Sequence, residues 1–380
     1  MRNNYTMKKI LIDLTYILDE NDLQKSTALY VQRFLDNLEE TCFQNYSFIL
    51  FVRKATYLYF KNKYENCAYS FIVFNELKHI HISFIKSILD AKKWQRQVNA
   101  ISCDVVYVPF TWVYNALRIN KRKVITIHDL RPIRETRIRS CKKIVLGLFR
   151  YYFKIAVKNA DLVIAISDFV KNDIIREFKC LDKVKVVYNG IPIQTKLSEI
   201  SQLVNKKYIL YVNTLTPYKN VLTLVKAFSM LDNSNLLLVI VGKETSYWKE
   251  KCLPESTDKV VRLDYVTDSE LTWLYRNAEL FVTTSIHEGF GFTPIEAAIQ
   301  CCPVISTKAD SLPEVTKGAV YYYEPFDDCN ALCVQINRVL KERDENPERF
   351  DEKIKAVSKI FKEAYSLSAF KENILKLLEG

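Results

Sequence analysis

His287-Glu288-Gly289-Phe290-Gly291-Phe292-Thr293-Pro294-Ile295-Glu296 sets two carboxylates, Glu288 and Glu296, on either side of a two-glycine turn that opens a helix. The chain has 7 glycines in 380 residues, against an ordinary share of roughly 7%, so a pair one residue apart marks a place where other residues fail. Gly289 and Gly291 allow positive φ or a close approach of the backbone to a ligand. Thr293-Pro294-Ile295-Glu296 reads as a helix start: Thr293 the cap, Pro294 the first helical residue, Glu296 two further on. A helix start behind glycines offers bare N–H groups and a positive dipole end, which suits phosphate oxygens. The same four residues also satisfy a capping box, in which Glu296 returns to the N–H of Thr293 and touches no ligand. Glu288 lies before the glycines and has no capping duty.

Working outward, short β-branched runs alternate with amphipathic stretches, the pattern of parallel sheets crossed by helices. The first half predicts strands at Lys9–Leu14, Ser47–Val52, Phe71–Phe74, Val105–Pro109, Val124–His128, Leu162–Ile166 and Val184–Tyr188. The second predicts Tyr208–Asn213, Leu236–Val241, Val260–Leu263, Leu280–Thr284, Val304–Ser306 and Val320–Tyr323. Asn189-Gly190 closes the first series as a turn, and the polar stretch 191–206 reads as a linker. The expected organisation is an α/β chain with a Rossmann-like domain at 1–195, a second at 196–364, and a helix at 365–380 that returns to the first. Ligands of open α/β sheets sit beyond the carboxyl ends of the strands. Ser285–Phe292 and His128-Asp129 each follow a strand directly, so the expectation is two domains facing a central cleft that holds the substrate.

Composition narrows the class. The chain is 49% hydrophobic and 26% charged, ordinary for a globular protein, and it contains no apolar run of the roughly 18 residues needed to span a bilayer. The N-terminal segment lacks the form of a signal peptide, so a cytoplasmic location is expected. Ten cysteines occur without C-x-x-C spacing and read as small buried hydrophobes, not as a zinc site or a disulfide framework. His79 and His81 share a face but have no third ligand, so no metal site is expected. The net charge of +11 is uneven: residues 1–190 hold 32 Lys+Arg against 18 Asp+Glu, residues 191–380 hold 23 against 26. The basic excess includes Lys121-Arg122-Lys123, Arg131, Arg134, Arg137, Arg139 and Lys142-Lys143. Such asymmetry suits an anionic partner, foremost a phospholipid surface or lipid diphosphate, with a solvated basic face as the alternative. A nucleic-acid motif is missing.

These motifs together resemble the retaining GT-B glycosyltransferases of family 4, a group that includes bacterial mannosyl-, rhamnosyl- and glucosyltransferases. The likeness rests on the E-x7-E element Glu288 to Glu296 with its Glu288-Gly289-Phe290-Gly291 core, on Pro303-Val304-Ile305 followed by Ser311-Leu312-Pro313-Glu314-Val315, and on Tyr208 to Asn220, similar to YILYVGTLEPRKN. Ile127-His128-Asp129-Leu130, Ala165-Ile166-Ser167 and Val187-Tyr188-Asn189-Gly190-Ile191 are similar to its first-domain elements.

The resemblance implies site roles. Glu296 would bond the donor ribose, and Glu288 would face the transferred sugar. Lys219 and the backbone around Gly289, Phe290, Gly291, Phe292 and Thr293 would hold the donor diphosphate. His128 would approach the donor sugar from the first domain. A lysine and a helix N-terminus stabilise the charge of a leaving diphosphate, so no metal and no cofactor are expected. Taken alone, His128 reads as a strand-end histidine satisfied by a backbone carbonyl, and Lys219 as an ordinary loop lysine.

The chain departs from the family at four places. Tyr218 stands where a basic residue usually precedes the Lys-Asn pair, Ser26-Thr27-Ala28-Leu29-Tyr30 replaces a GIGRY loop, Asn213 replaces a strand-ending glycine, and Cys301-Cys302 replaces the glycine before Pro303. Asn tolerates positive φ; Cys does not. The expected activity is transfer of a hexose or deoxyhexose from a GDP-, UDP- or dTDP-sugar to a lipid-linked surface-polysaccharide acceptor, with the basic half at the inner membrane face. A sugar-nucleotide 2-epimerase and a non-catalytic scaffold of a polysaccharide-assembly complex are the rivals, and nucleic-acid binding ranks last.

Overall fold

A computed structural model describes residues 7–75, 83–134, 140–232 and 235–380. His79, His81, Arg137 and Arg139 lie outside them, and the side chains of Arg134, Lys142 and Lys143 are likewise not described. The chain forms two compact units, Met1–Gly190 with Leu367–Gly380, and Ile191–Ser366.

The N-terminal unit is built on seven parallel strands: β1 (Lys8–Asp13), β2 (Tyr46–Arg53), β3 (Ser70–Phe74), β4 (Val105–Val108), β5 (Arg122–Ile127), β6 (Leu162–Ala165) and β7 (Val184–Val186), in the order β3-β2-β1-β4-β5-β6-β7. Its helices include α1 (Ser26–Leu35), α2 (Glu40–Asn45), α3 (Lys54–Lys63), α4 (Ser83–Ala100), α5 (Arg131–Arg134), α6 (Ser140–Asn159) and α7 (Asp168–Phe178). The second unit has six parallel strands, β8 (Lys207–Val212), β9 (Leu236–Val241), β10 (Val260–Leu263), β11 (Leu280–Val282), β12 (Val304–Ser306) and β13 (Tyr321–Tyr322), in the order β10-β9-β8-β11-β12-β13. Its helices include α8 (Val221–Ser229), α9 (Asp268–Asn277), α10 (Phe292–Ile299), α11 (Leu312–Val315), α12 (Cys329–Glu345) and α13 (Pro347–Ala364). Continuous apolar runs such as Phe48–Val52 and Leu236–Val241 form these strands because helices cover both faces of a parallel sheet, and these runs are buried. All thirteen predicted strands are present, with ends shifted by a residue or two.

Chain order reverses at β1 in one sheet and at β8 in the other. At each reversal the connecting loops diverge and leave room at the carboxyl ends of the strands. Asp13, Pro109 and His128 follow β1, β4 and β5; Asn213, Thr283 and Glu288 follow β8 and β11.

The last helix, α14 (Leu367–Glu379), belongs to the N-terminal unit. Arg122 donates to the carbonyls of Leu377 and Leu378 at 2.8 Å each, and the Lys371 ammonium reaches Glu39 at 2.7 Å. A Cβ on Gly190 would lie 2.9 Å from Leu367 Cδ2 and from Phe370 Cβ, so only glycine lets the first unit end this close to α14. The unit boundaries fall at 190/191 and 366/367, where 195/196 and 364/365 were expected; the Ile191 N–H donates to Tyr365 O at 2.9 Å, which ties both junctions of the second unit together.

Candidate functional site

The residues expected to face a donor are carried by three loops at the carboxyl ends of β8, β11 and β12. After β8 a short turn, Pro217–Lys219, ends at Asn220 in the left-handed region (φ 51°). Asparagine tolerates that region, and here Asn220 Nδ2 donates to Phe326 O at 2.9 Å. The turn fixes Lys219 by its carbonyl, which accepts from Thr284 Oγ1 at 2.8 Å and from Tyr211 Oη at 3.1 Å. Burial, and then the charge of Glu288, push the Tyr211 phenol well above its ordinary value, so it stays a donor.

The Ile286 N–H donates to Tyr218 O at 2.9 Å and joins the β11 loop to this turn. Two residues on, Glu288 Oε1 meets Lys219 Nζ at 2.5 Å, with the two side chains only 13% and 11% exposed. Sequence left Lys219 an ordinary loop lysine; the fold makes it half of a nearly buried ion pair. Tyr218, standing where the family carries a cation, lies with its ring centroid 5.2 Å from the Lys219 ammonium. The aromatic face adds attraction for that charge where a second cation would repel it.

Residues not anticipated hold Glu288 from behind. Asp310, at φ 50°, accepts from the Glu288 N–H and faces His287 Nδ1, both at 3.2 Å. The buried Ser311 hydroxyl lies 2.9 Å from Glu288 O and 3.2 Å from Phe290 O. Ser311 sits in the Ser-Leu-Pro-Glu-Val motif and Tyr211 in the Tyr208–Asn220 stretch, and those were the available signals; Asp310 and Thr284 had no motif.

The helix start differs from its expectation. The cap of α10 is Gly291, at φ 89°, and the helix begins at Phe292 with no side-chain cap, so Thr293 lies inside the first turn and the Thr293–Glu296 capping box does not form. The reason is conformational: glycine reaches the left-handed region at little cost, and the cap falls two residues before Thr293. A Cβ on Gly291 would stand 2.7 Å from Leu312 Cδ2. Gly289 and the buried Phe290 lead into this turn, and the Phe290 ring packs on Phe292 and Tyr365, centroids 5.3 and 5.5 Å away. Pro294 lacks an N–H, so Phe292 and Thr293 carry the donors of the opening turn. Glu296 follows on α10, with Tyr275 Oη 3.5 Å from its Oε2. Among the described residues, the buried hydroxyls of Thr216, Thr283 and Ser285, near the ends of β8 and β11, have no hydrogen-bond partner.

In the N-terminal unit, His128 Nε2 lies 2.8 Å from Pro109 O, the backbone-carbonyl arrangement that the residue by itself suggested. A carbonyl only accepts, so Nε2 carries the proton and Nδ1 holds the lone pair. Burial lowers the imidazole's proton affinity, and the ring is neutral at pH 7. Tyr30 stands edge-on to the ring at 4.8 Å, and Phe110 tilts against it at 5.9 Å. Tyr30 closes the segment that replaces the glycine loop; it is a buried residue of α1, not part of an open turn.

Two further expectations are corrected. Asn213 is not among the positive-φ residues, whereas Cys301 is, at φ 62°. The replaced glycine before Pro303 therefore leaves a cysteine in strained backbone. Of the nine described cysteines, all free, Cys42, Cys252, Cys302 and Cys333 are buried, but Cys67 and Cys301 are exposed and Cys103, Cys180 and Cys329 partly so. Among the described residues no three His, Cys, Asp or Glu side chains group as metal ligands, and no helix is long and apolar enough to cross a membrane.

Comparison with known proteins agrees with this architecture. Residues 194–357 match the model for glycosyl transferases group 1, and residues 58–195 match that for glycosyltransferase family 4. The O-antigen chain mannosyltransferase RfbU of Salmonella typhimurium is 29% identical over 219 residues, 57% of this chain and 60% of the relative. O-antigen chain mannosyltransferase B of Escherichia coli is 29% identical over 206 residues, 49% of this chain and 53% of the relative. The chain thus spans between about half and three-fifths of the length of these curated relatives. Among solved structures, a glycosyltransferase from Rickettsia africae superposes with a TM-score of 0.72 at 18% identity, covering 99% of this chain and 98% of the other. Anabaena HepE in complex with UDP-glucose superposes with a TM-score of 0.71 at 17% identity, covering 98% and 99%. With two parallel-sheet Rossmann-like units and adjoining family matches from residue 58 to 357, the chain belongs to the GT-B glycosyltransferases of family 4.

Proposed function

We propose that this chain is a retaining glycosyltransferase that moves a hexose or deoxyhexose from a nucleotide-diphosphate sugar to a growing, lipid-linked polysaccharide. The observation that carries the reading is the Lys219–Glu288 pair, nearly buried and 2.5 Å apart on loops that lead into the glycine-opened start of α10. A leaving diphosphate gains negative charge as the bond to the sugar breaks. Lys219 and the N–H groups of Phe292 and Thr293 supply fixed positive potential there, and this stabilises the transition state more than the ground state. In this reading the residues do what a divalent cation would otherwise do, so transfer needs no metal and no cofactor. Glu288 faces the transferred sugar, Glu296 bonds the donor ribose, the backbone of Gly289, Phe290 and Gly291 lies along the diphosphate, and neutral His128 approaches the sugar.

Three features support the donor and acceptor classes. HepE was solved with UDP-glucose, and two relatives are named as O-antigen mannosyltransferases. The basic excess of the first half suits an acceptor carried on an anionic lipid surface on the cytoplasmic side. Calorimetry against a panel of UDP-, GDP- and dTDP-sugars tests the core of the proposal: one selective donor that Lys219→Ala no longer binds supports it, and a panel without a hit removes it. Proton NMR of the product reads the anomeric configuration, and turnover in excess chelator tests metal independence. Donor turnover without acceptor would favour an epimerase. Unchanged liposome binding after charge reversal of Arg131, Arg134, Arg137 and Arg139 would remove the membrane partner.

A further inference from the structure

The N-terminal unit contains a fully buried polar cluster that the proposed transfer chemistry does not use. Asp13, at the end of β1, is 0% exposed and accepts from Thr15 N at 3.0 Å, Thr15 Oγ1 at 2.5 Å and Trp94 Nε1 at 3.1 Å. Asn115, also 0% exposed, sits beside it midway along the loop 109–121 that joins β4 to β5. Its Nδ2 donates to Asp13 Oδ2 at 3.4 Å and to Phe110 O at 2.9 Å, and its Oδ1 accepts from Trp112 N at 2.8 Å. Both amide protons and the amide oxygen are therefore committed. The buried Lys123 ammonium donates to the carbonyl of Asn115 and, at 2.9 Å, to that of Leu117.

This hub holds the first half of the loop that joins β4 to β5. The loop begins at Pro109, whose carbonyl accepts the Nε2 proton of His128. Phe110, whose carbonyl Asn115 grips, also packs its ring on His128. A second tie, Thr111 Oγ1 to Thr126 O at 2.9 Å, pins the loop to β5, the strand that delivers His128. We propose that Asn115, oriented by Asp13, is a positioning residue that fixes the Pro109 carbonyl and through it the tautomer and orientation of His128. The inference rests on the reading of His128 as the group that approaches the donor sugar.

A lost orienting carbonyl leaves the ring free to exchange tautomers, and misplacement of a reacting group by about 1 Å costs on the order of a hundredfold in rate. The test is Asn115→Leu in the full chain, read by nitrogen chemical shifts of His128 and by steady-state kinetics. Expected are a loss of the pure Nε2–H signature and a fall in kcat of about tenfold to a hundredfold, with the dissociation constant of the sugar nucleotide unchanged. Thr111→Val, which removes only the second tie, is expected to move both readouts the same way by less, and it serves if the leucine variant does not fold. A fall in kcat with the His128 tautomer intact, or an unchanged tautomer in both variants, overturns the proposal. The tautomer readout does not need activity: if His128→Ala leaves turnover unchanged, the reading of His128 as a catalytic residue fails while the positioning by Asn115 is still decided.

Discussion

The two units solve the same problem, holding a polar side chain at the carboxyl end of a parallel sheet, in opposite ways. In the second unit the charges of Lys219 and Glu288, nearly but not fully buried, meet each other on loops stitched by Thr284, Tyr211, Asp310 and Ser311. In the first, His128 is neutral and meets the Pro109 carbonyl, next to the Phe110 carbonyl held by a buried network of Asp13, Asn115 and Lys123. A charge pair that keeps some exposure can exchange its partner for a ligand, because the ligand compensates it. A buried charge cannot leave its partner without a large desolvation cost, so it serves to fix geometry. The difference teaches which unit is arranged to bind and which to orient.

The largest expected effect breaks the binding half of that contrast. Lys219→Ala should lower transfer by about a hundredfold to a thousandfold, the usual loss for one preorganised charge at a leaving group. Normal circular dichroism with full activity would show that the pair is structural only. Next comes the orienting half, through pH. Burial drops Lys123 to about 7 in the folded chain, against 10.5 for the ordinary side chain. Between those values the unfolded chain binds more protons, so this residue makes stability rise with pH, by up to about 1.4 kcal/mol per pH unit. Lys123→Met should flatten that rise in urea unfolding followed between neutral and alkaline pH; an unchanged slope would mean the ammonium is not desolvated.

Smaller effects sharpen the comparison. Gly291→Ala should cost about 1–3 kcal/mol, from the left-handed backbone and the push against Leu312, with the melting temperature as the measure. A melting temperature equal to the parent's would mean that the turn relaxes freely. Cys301→Gly should gain about 1 kcal/mol, since it relieves an exposed cysteine at φ 62°. No gain there would show that the strain is compensated locally.

Much of this was legible beforehand because parallel strands are buried on both faces and so appear as unbroken apolar runs between turn residues; the runs around Phe48 and Leu236 could be little else. The candidate loop was legible because scarce glycines punctuate it. The capping role of Thr293 was misjudged, since a threonine-proline pair fits a helix start as well as a helix interior, and only the φ of Gly291 separates the two. Asp310 could not be found, because nothing distinguishes a carboxylate that supports a loop from one that faces water.

The sequence by itself determined the order of the strands, the place of the glycine-marked turn and membership of the family, because periodicity, turn chemistry and motif spacing are local properties. Only the tertiary structure decided that Lys219 pairs with Glu288 across 69 residues, that Asn115 joins Asp13 to the Phe110 carbonyl, next to the Pro109 carbonyl that His128 meets, and that Cys301 carries a backbone glycine would prefer. Pairing and burial depend on which loops the sheet brings together, and no stretch of chain holds that information alone.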